Sequence, residues 1–167
     1  MKGRGAQLNP DNRFLAQRYT ADDPDGVDPL HEPDPDPDTE FLADHARSAI
    51  SKNNSVDISF EYSVNPYQGC EHGCVYCYAR NSHEYRGFSA GLDFEQKILV
   101  KHDIVGLLEQ EFRRKNYRVS PITLSGNTDC YQPVERKLRL TRGLLELMLR
   151  YGHPVSLITK NSLILRD

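Results

Sequence analysis

Tryptophan is absent from this 167-residue sequence, methionine occurs twice, and the longest apolar runs are only a few residues. No stretch approaches the roughly 20 apolar residues of a membrane-spanning helix, which predicts no membrane association. The opening residues Met1-Lys2-Gly3-Arg4-Gly5 lead into no apolar core, so no secretory signal is expected and the predicted location is cytoplasmic. Basic residues are missing from one region: residues 21–40 hold nine of the 24 acidic side chains and neither Lys nor Arg. The rest of the chain therefore carries a net charge of +6, which fits a nucleic-acid partner or an ordinary solubilising surface.

What is present is cysteine in an unusual distribution. Four cysteines in a chain with no secretory signal point to metal or redox chemistry rather than a disulfide framework. Three of the four fall within eight residues.

The length suits one domain with a sizeable core plus irregular sequence. Residues 1–20 read as a polar leader with a few anchors, Phe14, Leu15 and Tyr19 among them, and the sequence does not decide whether it packs. Residues 21–40 contain five of the ten prolines and the run Asp34-Pro35-Asp36-Pro37-Asp38. Missing backbone donors, carboxylate repulsion and scarce apolar surface predict a disordered or extended acidic linker there. The core domain then spans 41–167. Thr39 or Asp38 offers a cap for a short helix over 40–50, with Phe41, Leu42, Ala46 and Ile50 on one face.

Ile58, Phe60, Tyr62 and Val64 alternate with polar residues as a strand would, and Asn65-Pro66 ends the run. Ile98-Leu99-Val100 offers another extended piece. Asp103 is placed to cap a helix over 104–115, and Pro121–Leu124 reads as a buried strand. A helix over 134–151, closed by Gly152, precedes a strand over 154–158. Such alternation predicts an α/β fold with right-handed crossovers and a parallel sheet. Chemistry in such sheets collects beyond the carboxyl ends of the strands, where three unusual loops fall: Gln68–Tyr78, Ser125–Tyr131 and Thr159–Asn161.

The first loop carries Cys70, Cys74 and Cys77 in the spacing C-x3-C-x2-C, with Gly69 and Gly73 permitting tight turns. Soft thiolates suit iron–sulfur or zinc centres. Three ligands wrapped around a cubane leave one iron open to a cosubstrate. His72 and His83 offer a Cys3His zinc site instead, although structural zinc sites usually pair their ligands across a longer loop.

This motif, with an aromatic just before its last cysteine, resembles the signature of radical S-adenosylmethionine (SAM) enzymes. The wider context narrows the resemblance: Asn65-Pro-Tyr-Gln-Gly-Cys70-Glu-His-Gly-Cys74-Val-Tyr-Cys77-Tyr-Ala-Arg80, His83-Glu84-Tyr85, Gly91-Leu92-Asp93-Phe94-Glu95 and Asn127-Thr128-Asp129-Cys130-Tyr131-Gln132-Pro133-Val134-Glu135. It is similar to the branch related to spore photoproduct lyase, often labelled DNA repair photolyase. The likeness runs from about residue 57 to the end, with a weaker echo at Lys2-Gly3-Arg4-Gly5.

The resemblance implies the N-terminal part of a parallel (β/α) partial barrel with a [4Fe–4S] cluster on Cys70, Cys74 and Cys77. It implies SAM on the open iron, cleaved to a 5′-deoxyadenosyl radical that abstracts hydrogen from an unknown substrate, a DNA lesion being one option. By the same analogy Tyr76 lies against the adenine, the loop with Gly126, Asn127 and Asp129 holds the SAM amino group, and Lys160 pairs with its carboxylate. An electron donor such as flavodoxin or ferredoxin is the implied partner.

Cys130 stands where that branch usually has proline, as an inert side chain, a redox partner or a fourth ligand. The branch is also longer, and the chain ends at Leu163–Asp167, about where a third crossover helix is expected, which predicts a truncated product with an unpaired strand edge. The competing expectation is a non-enzymatic zinc- or iron–sulfur-binding fragment. Arg80, His83, Glu84 and Tyr85 either face substrate or solvate a helix. Arg113, Arg114, Lys115 and Arg118 either touch phosphates or complement a helix dipole.

Overall fold

The computed structural model describes residues 4–15 and 38–167. The linker expected over 21–40 lies outside the described residues apart from 38–40, and the leader is described over 4–15. Along the chain come β1 (Glu40–Ala43), β2 (Ile50–Lys52), β3 (Tyr62–Val64), β4 (Tyr67–Gln68), a 3₁₀ segment (Tyr78–Arg86) and α1 (Asp93–Gln96). They are followed by β5 (Lys97–Val100), α2 (Ile104–Phe112), β6 (Ile122–Leu124), α3 (Glu135–Leu138), α4 (Leu140–Tyr151), β7 (Val155–Leu157) and a second 3₁₀ segment (Ser162–Arg166).

The architecture is mixed α/β with two mixed sheets. One has the order β2-β3-β6-β7, in which β3, β6 and β7 run parallel and β2 is antiparallel. The other has the order β1-β5-β4, with β1 parallel and β4 antiparallel to β5. The central strand β6 is buried along its length, with a parallel neighbour on each edge.

Residue alternation sorts the faces. Val64, Ile122 and Leu124 join Ile104 and Leu108 of α2 and Leu144, Leu147 and Met148 of α4 in the main core. The opposite face carries the register-matched row Ser63, Thr123 and Ser156, with Thr123 and Ser156 hydroxyls 2.7 Å apart. The helices thus cover one side of the parallel strands, and small polar residues line the other.

Four local expectations are corrected. No helix forms over 40–50: residues 40–43 are β1, in register with β5 from Glu40↔Lys97 to Ala43↔Val100, and Ile50–Lys52 is β2. Pairing with the edge of β5 overrides a weak local helix preference. The strand expected from Ile58 is formed only over Tyr62–Val64, because its partner β2 is three residues long and Asn53 takes the Phe60 carbonyl into a turn. The helix expected over 134–151 is broken at Arg139, which adopts φ 53. There the buried Glu135 carboxylate accepts the amides of Thr141 (3.1 Å) and Arg142 (3.2 Å), capping α4 from the preceding turn. Asp103 precedes α2, but its side chain makes no capping bond.

Candidate functional site

Cys70, Cys74 and Cys77 follow β4 on a loop whose shape depends on two glycines at positive φ. Gly69 (φ 83) lies so close to the carbonyls of Phe94 and Lys97 that a Cβ would stand 3.0 Å from each. Gly73 adopts φ 59. Backbone bonds from Cys70 N to Phe94 O (2.8 Å) and from Cys77 N to Cys74 O (3.2 Å) set the turn. Cys70 is buried and the other two are half-buried; none is in a disulfide. Burial pushes the Cys70 thiol up to about 11, so its thiolate needs a compensating cation.

The three cysteines line a cleft of about 320 Å³ beyond the carboxyl ends of the parallel strands. Asn127 and Asp129 from the loop after β6, and Thr159 and Lys160 from the loop after β7, line the same cleft. Tyr76 also lines it and is largely exposed. Gly126 lies behind: its carbonyl accepts the Tyr78 hydroxyl (3.0 Å), and a Cβ there would press on Ser63 and Phe60. Sequence segments up to 90 residues apart therefore meet around the thiols.

Asp129 is the staple between loops. Its Oδ1 accepts the Thr159 hydroxyl (2.7 Å) and the Tyr131 amide (2.9 Å), and its Oδ2 accepts the Lys160 amide (3.1 Å). His72 Nδ1 lies 3.6 Å from Asp129 Oδ2 and 3.5 Å from Cys70 Sγ, and its Nε2 is 3.1 Å from Asn161 Nδ2. Burial lowers the His72 pKa from the usual imidazole value, against the opposing pull of the Asp129 carboxylate. Lys160 Nζ donates to Cys74 Sγ at 2.8 Å, and that bond raises the ammonium's pKa. Asn127 donates its amide to Asn65 Oδ1 (3.0 Å) and its side chain to Ser82 (3.2 Å).

Among the described residues no three His, Cys, Asp or Glu side chains converge on a single-ion site. Cys130 does not line the cleft: it is fully buried in the main core, its amide donates to Ser125 Oγ (2.8 Å), and burial pushes its thiol up to about 12. His83 is buried between Phe88 and Phe94, and Glu84 is buried against Arg13, so neither faces the cleft. Arg114 and Arg118 line a separate cavity of about 540 Å³ with Lys52 and Tyr62, at the amino ends of the parallel strands. A phosphate held there would lie at the far end of the sheet from the cysteines.

The sequence reading missed the scaffold under the cysteine loop. Gln132 donates to the Gly69 carbonyl (3.1 Å) and accepts the Glu71 amide (3.1 Å); Glu71 in turn accepts the Val134 amide (2.8 Å). Glu135 accepts the Tyr67 hydroxyl, and burial followed by that carboxylate drives the phenol pKa upward. A Gln and two Glu within a mostly polar stretch were the available signal.

No family model matches the chain, and no solved structure matches it. Uncharacterized proteins of Mycobacterium tuberculosis and Mycobacterium bovis are each 39% identical to it over 122 residues, covering 72% of this chain and 36% of the relative. An uncharacterized protein of Methanocaldococcus jannaschii is 29% identical over 107 residues, covering 64% of this chain and 38% of the relative. The matched stretch thus spans little more than a third of these curated relatives. No helix among the described residues is long and apolar enough to cross a membrane.

Proposed function

We propose that this chain forms the cluster-bearing part of a radical SAM enzyme, with Cys70, Cys74 and Cys77 as the ligands of a [4Fe–4S] centre. The observation that carries this is the convergence of the cysteine loop, the 125–129 loop and the 158–160 loop on one cleft at the carboxyl ends of parallel strands. The donor set fits the group. Three thiols are soft ligands, cubane thiolates bind separate irons and need no common point, and the fourth cysteine is locked in the core. The cleft volume falls at the small end of the range for cofactor sites.

When bound, the cluster and SAM would supply a one-electron cleavage and a carbon radical able to abstract hydrogen from substrate. The chain's own residues position and shield. Asp129 ties the loop after β7 to the loop after β6, so the two polar walls move as one. Lys160 brings a positive charge against Cys74 Sγ, and the same ammonium is the candidate partner for a carboxylate in the cleft. Tyr76 presents an exposed ring at the cleft, suited to stacking on a planar base. Asn127 lines the same cleft and is held in place by its bonds to Asn65 and Ser82.

Anaerobic purification of the complete polypeptide tests the proposal. A brown protein with iron and sulfide, whose electron paramagnetic resonance signal shifts on adding SAM, is expected. Replacing Cys70, Cys74 or Cys77 singly with Ala should abolish bound iron, and Cys130→Ala should leave it in place. A colourless protein carrying stoichiometric zinc, and refractory to iron–sulfide reconstitution, would establish the zinc module instead.

A further inference from the structure

The motif segments that flank the cysteines, Arg80–Arg86 and Gly91–Glu95, are the seat on which the leader lies. Glu95 of α1 is fully buried and accepts the Gly5 amide at Oε2 (3.0 Å), the Ala6 amide at Oε1 (2.8 Å) and the Arg80 guanidinium at Oε1 (2.5 Å). Arg80 turns its remaining donors onto the Cys74 carbonyl, from Nε (3.1 Å) and Nη2 (3.0 Å), and onto the Gly91 carbonyl (3.1 Å). Arg4 donates to the Glu95 carbonyl (3.1 Å). One buried carboxylate therefore links the leader's backbone to the backbone between two proposed ligands.

The approach is close enough to demand glycine. A Cβ on Gly5 would collide with the Gly73 carbonyl, and one on Gly91 with the Leu8 carbonyl. Farther along, Asn9 and Asp93 exchange two bonds (3.1 and 2.9 Å), and Asn12 Nδ2 donates to the carbonyls of Glu84 and Phe88 (3.0 and 2.8 Å). Arg13 meets the Glu84 carboxylate through its amide (3.1 Å) and Nε (2.7 Å). These bonds link positions more than 70 residues apart, so ordering the leader is repaid at each step rather than at one anchor.

We propose that residues 4–13 buttress the cysteine loop: by saturating Glu95 they hold Arg80 on the Cys74 carbonyl and fix the Cys70–Cys77 turn in its metal-receiving shape. What the loop receives rests on the function proposed above; the ordering of the loop does not. Arg80 and Glu95 are positioning residues, since neither lines the cleft.

Hydrogen exchange in the metal-free full chain tests the buttress without any cluster. Gly5→Ala and Glu95→Gln should each speed exchange of the 70–80 amides about tenfold or more while the α2 and α4 amides keep their protection. A chain lacking residues 1–15 should show the same loosening, reversed by a synthetic peptide of residues 1–15. Unchanged exchange at 70–80, or an equal rise in α2 and α4, overturns the proposal. In anaerobically loaded protein the same variants should lose iron to a chelator about tenfold faster; equal loss rates overturn it as well. If the parent chain takes up no iron, exchange alone decides the buttress, and only the cluster assignment falls.

Discussion

The two ends of the β3–β6–β7 sheet are held by different kinds of polar bond. At the amino end, charged side chains pair with near neighbours: Arg113 with Glu109 and Arg114 with Glu111, each at 2.7 Å on or just past α2, and Lys52 with Glu61 at 3.2 Å. Each pair keeps at least one side chain mostly in water, where such contacts contribute about 0–1 kcal/mol. They support single elements or a hairpin, while the bonds that join α2 to α4 at this end, Tyr151 to Glu109 (3.2 Å) and Tyr117 with His153 (2.6 Å), sit at the helix ends and not under a loop. At the carboxyl end the polar groups are buried or half-buried and reach far along the chain, from Gln132 to Gly69, from Glu135 to Tyr67, from Asp129 to Thr159 and from Glu95 to Gly5. A hydrophobic contact fixes a distance loosely, whereas a hydrogen bond to a carbonyl or amide also fixes direction. The amino end is accordingly a tolerant surface and the carboxyl end a specified one.

The largest break in that comparison comes from Glu135. Glu135→Ala strips the partner from the buried Tyr67 hydroxyl and from the Thr141 and Arg142 amides, while Arg166 keeps its pairing with Asp167. A loss of about 3 kcal/mol or more in denaturant unfolding is expected. A loss below about 1 kcal/mol would mean these donors find other partners, and that the carboxyl end is no better specified than the amino end.

His83 sets the next scale, through pH. Its ring is almost wholly buried between Phe88 and Phe94, neither nitrogen has a hydrogen-bonding partner of ordinary geometry among the described residues, and burial lowers its pKa to about 4. The unfolded chain binds this proton near the ordinary imidazole value while the folded chain does not. Stability from the neutral ring is therefore complete above about pH 6.5 and is lost as pH falls toward 4, by up to about 3 kcal/mol. His83→Phe should flatten that slope between pH 6.5 and 4 and change little at pH 7.5. Parallel pH profiles for the two proteins would show the ring to be solvated.

Gln132→Ala follows with about 1–3 kcal/mol, because the Glu71 amide loses its acceptor and the Gly69 carbonyl a donor. Its signature is local: exchange at 69–71 should rise more than in α4. A uniform rise would make Gln132 a core residue and no brace.

How far these features were legible in the sequence follows the same division. Helix α2 and strands β6 and β7 stand where apolar periodicity put them, because Ile104, Leu108, Ile122 and Leu124 bury side chains against one core and the local pattern suffices. Strand β1 was read as helix because its conformation is decided by β5, more than 50 residues away. The break at Arg139 was hidden because it depends on where the Glu135 side chain turns. At the site, the three loops were legible from their places after strands. The roles inside them were less so: Asp129 could be marked as a carboxylate for an ammonium, yet its oxygens are occupied by Thr159, Tyr131 and Lys160. The docking of the leader left the faintest trace, since its donors to Glu95 are backbone amides that any residue carries. The faint echo at Lys2-Gly3-Arg4-Gly5 marked the segment, but a glycine in it does not say what approaches.

The smallest expected effect tests the tolerant end. Arg114 is two-thirds exposed, pairs with Glu111 three residues away, and lines the amino-end cavity with Arg118 and Lys52. If that end is only solvated surface, Arg114→Ala changes stability by no more than about 1 kcal/mol, because the guanidinium lies mostly in water even though Glu111 is largely covered. If the proposed cluster binds, its iron content should be untouched by this substitution, since among the described residues no bond from Arg114 reaches the cysteine loop. Retention on a polyanion column should fall slightly, in keeping with one lost charge, and the same small change is expected from Arg118→Ala. A variant that instead lost its iron would show the two ends to be coupled through α2 and β6. The cysteine loop would then depend on the whole sheet, and the division between a tolerant and a specified end would have to be abandoned.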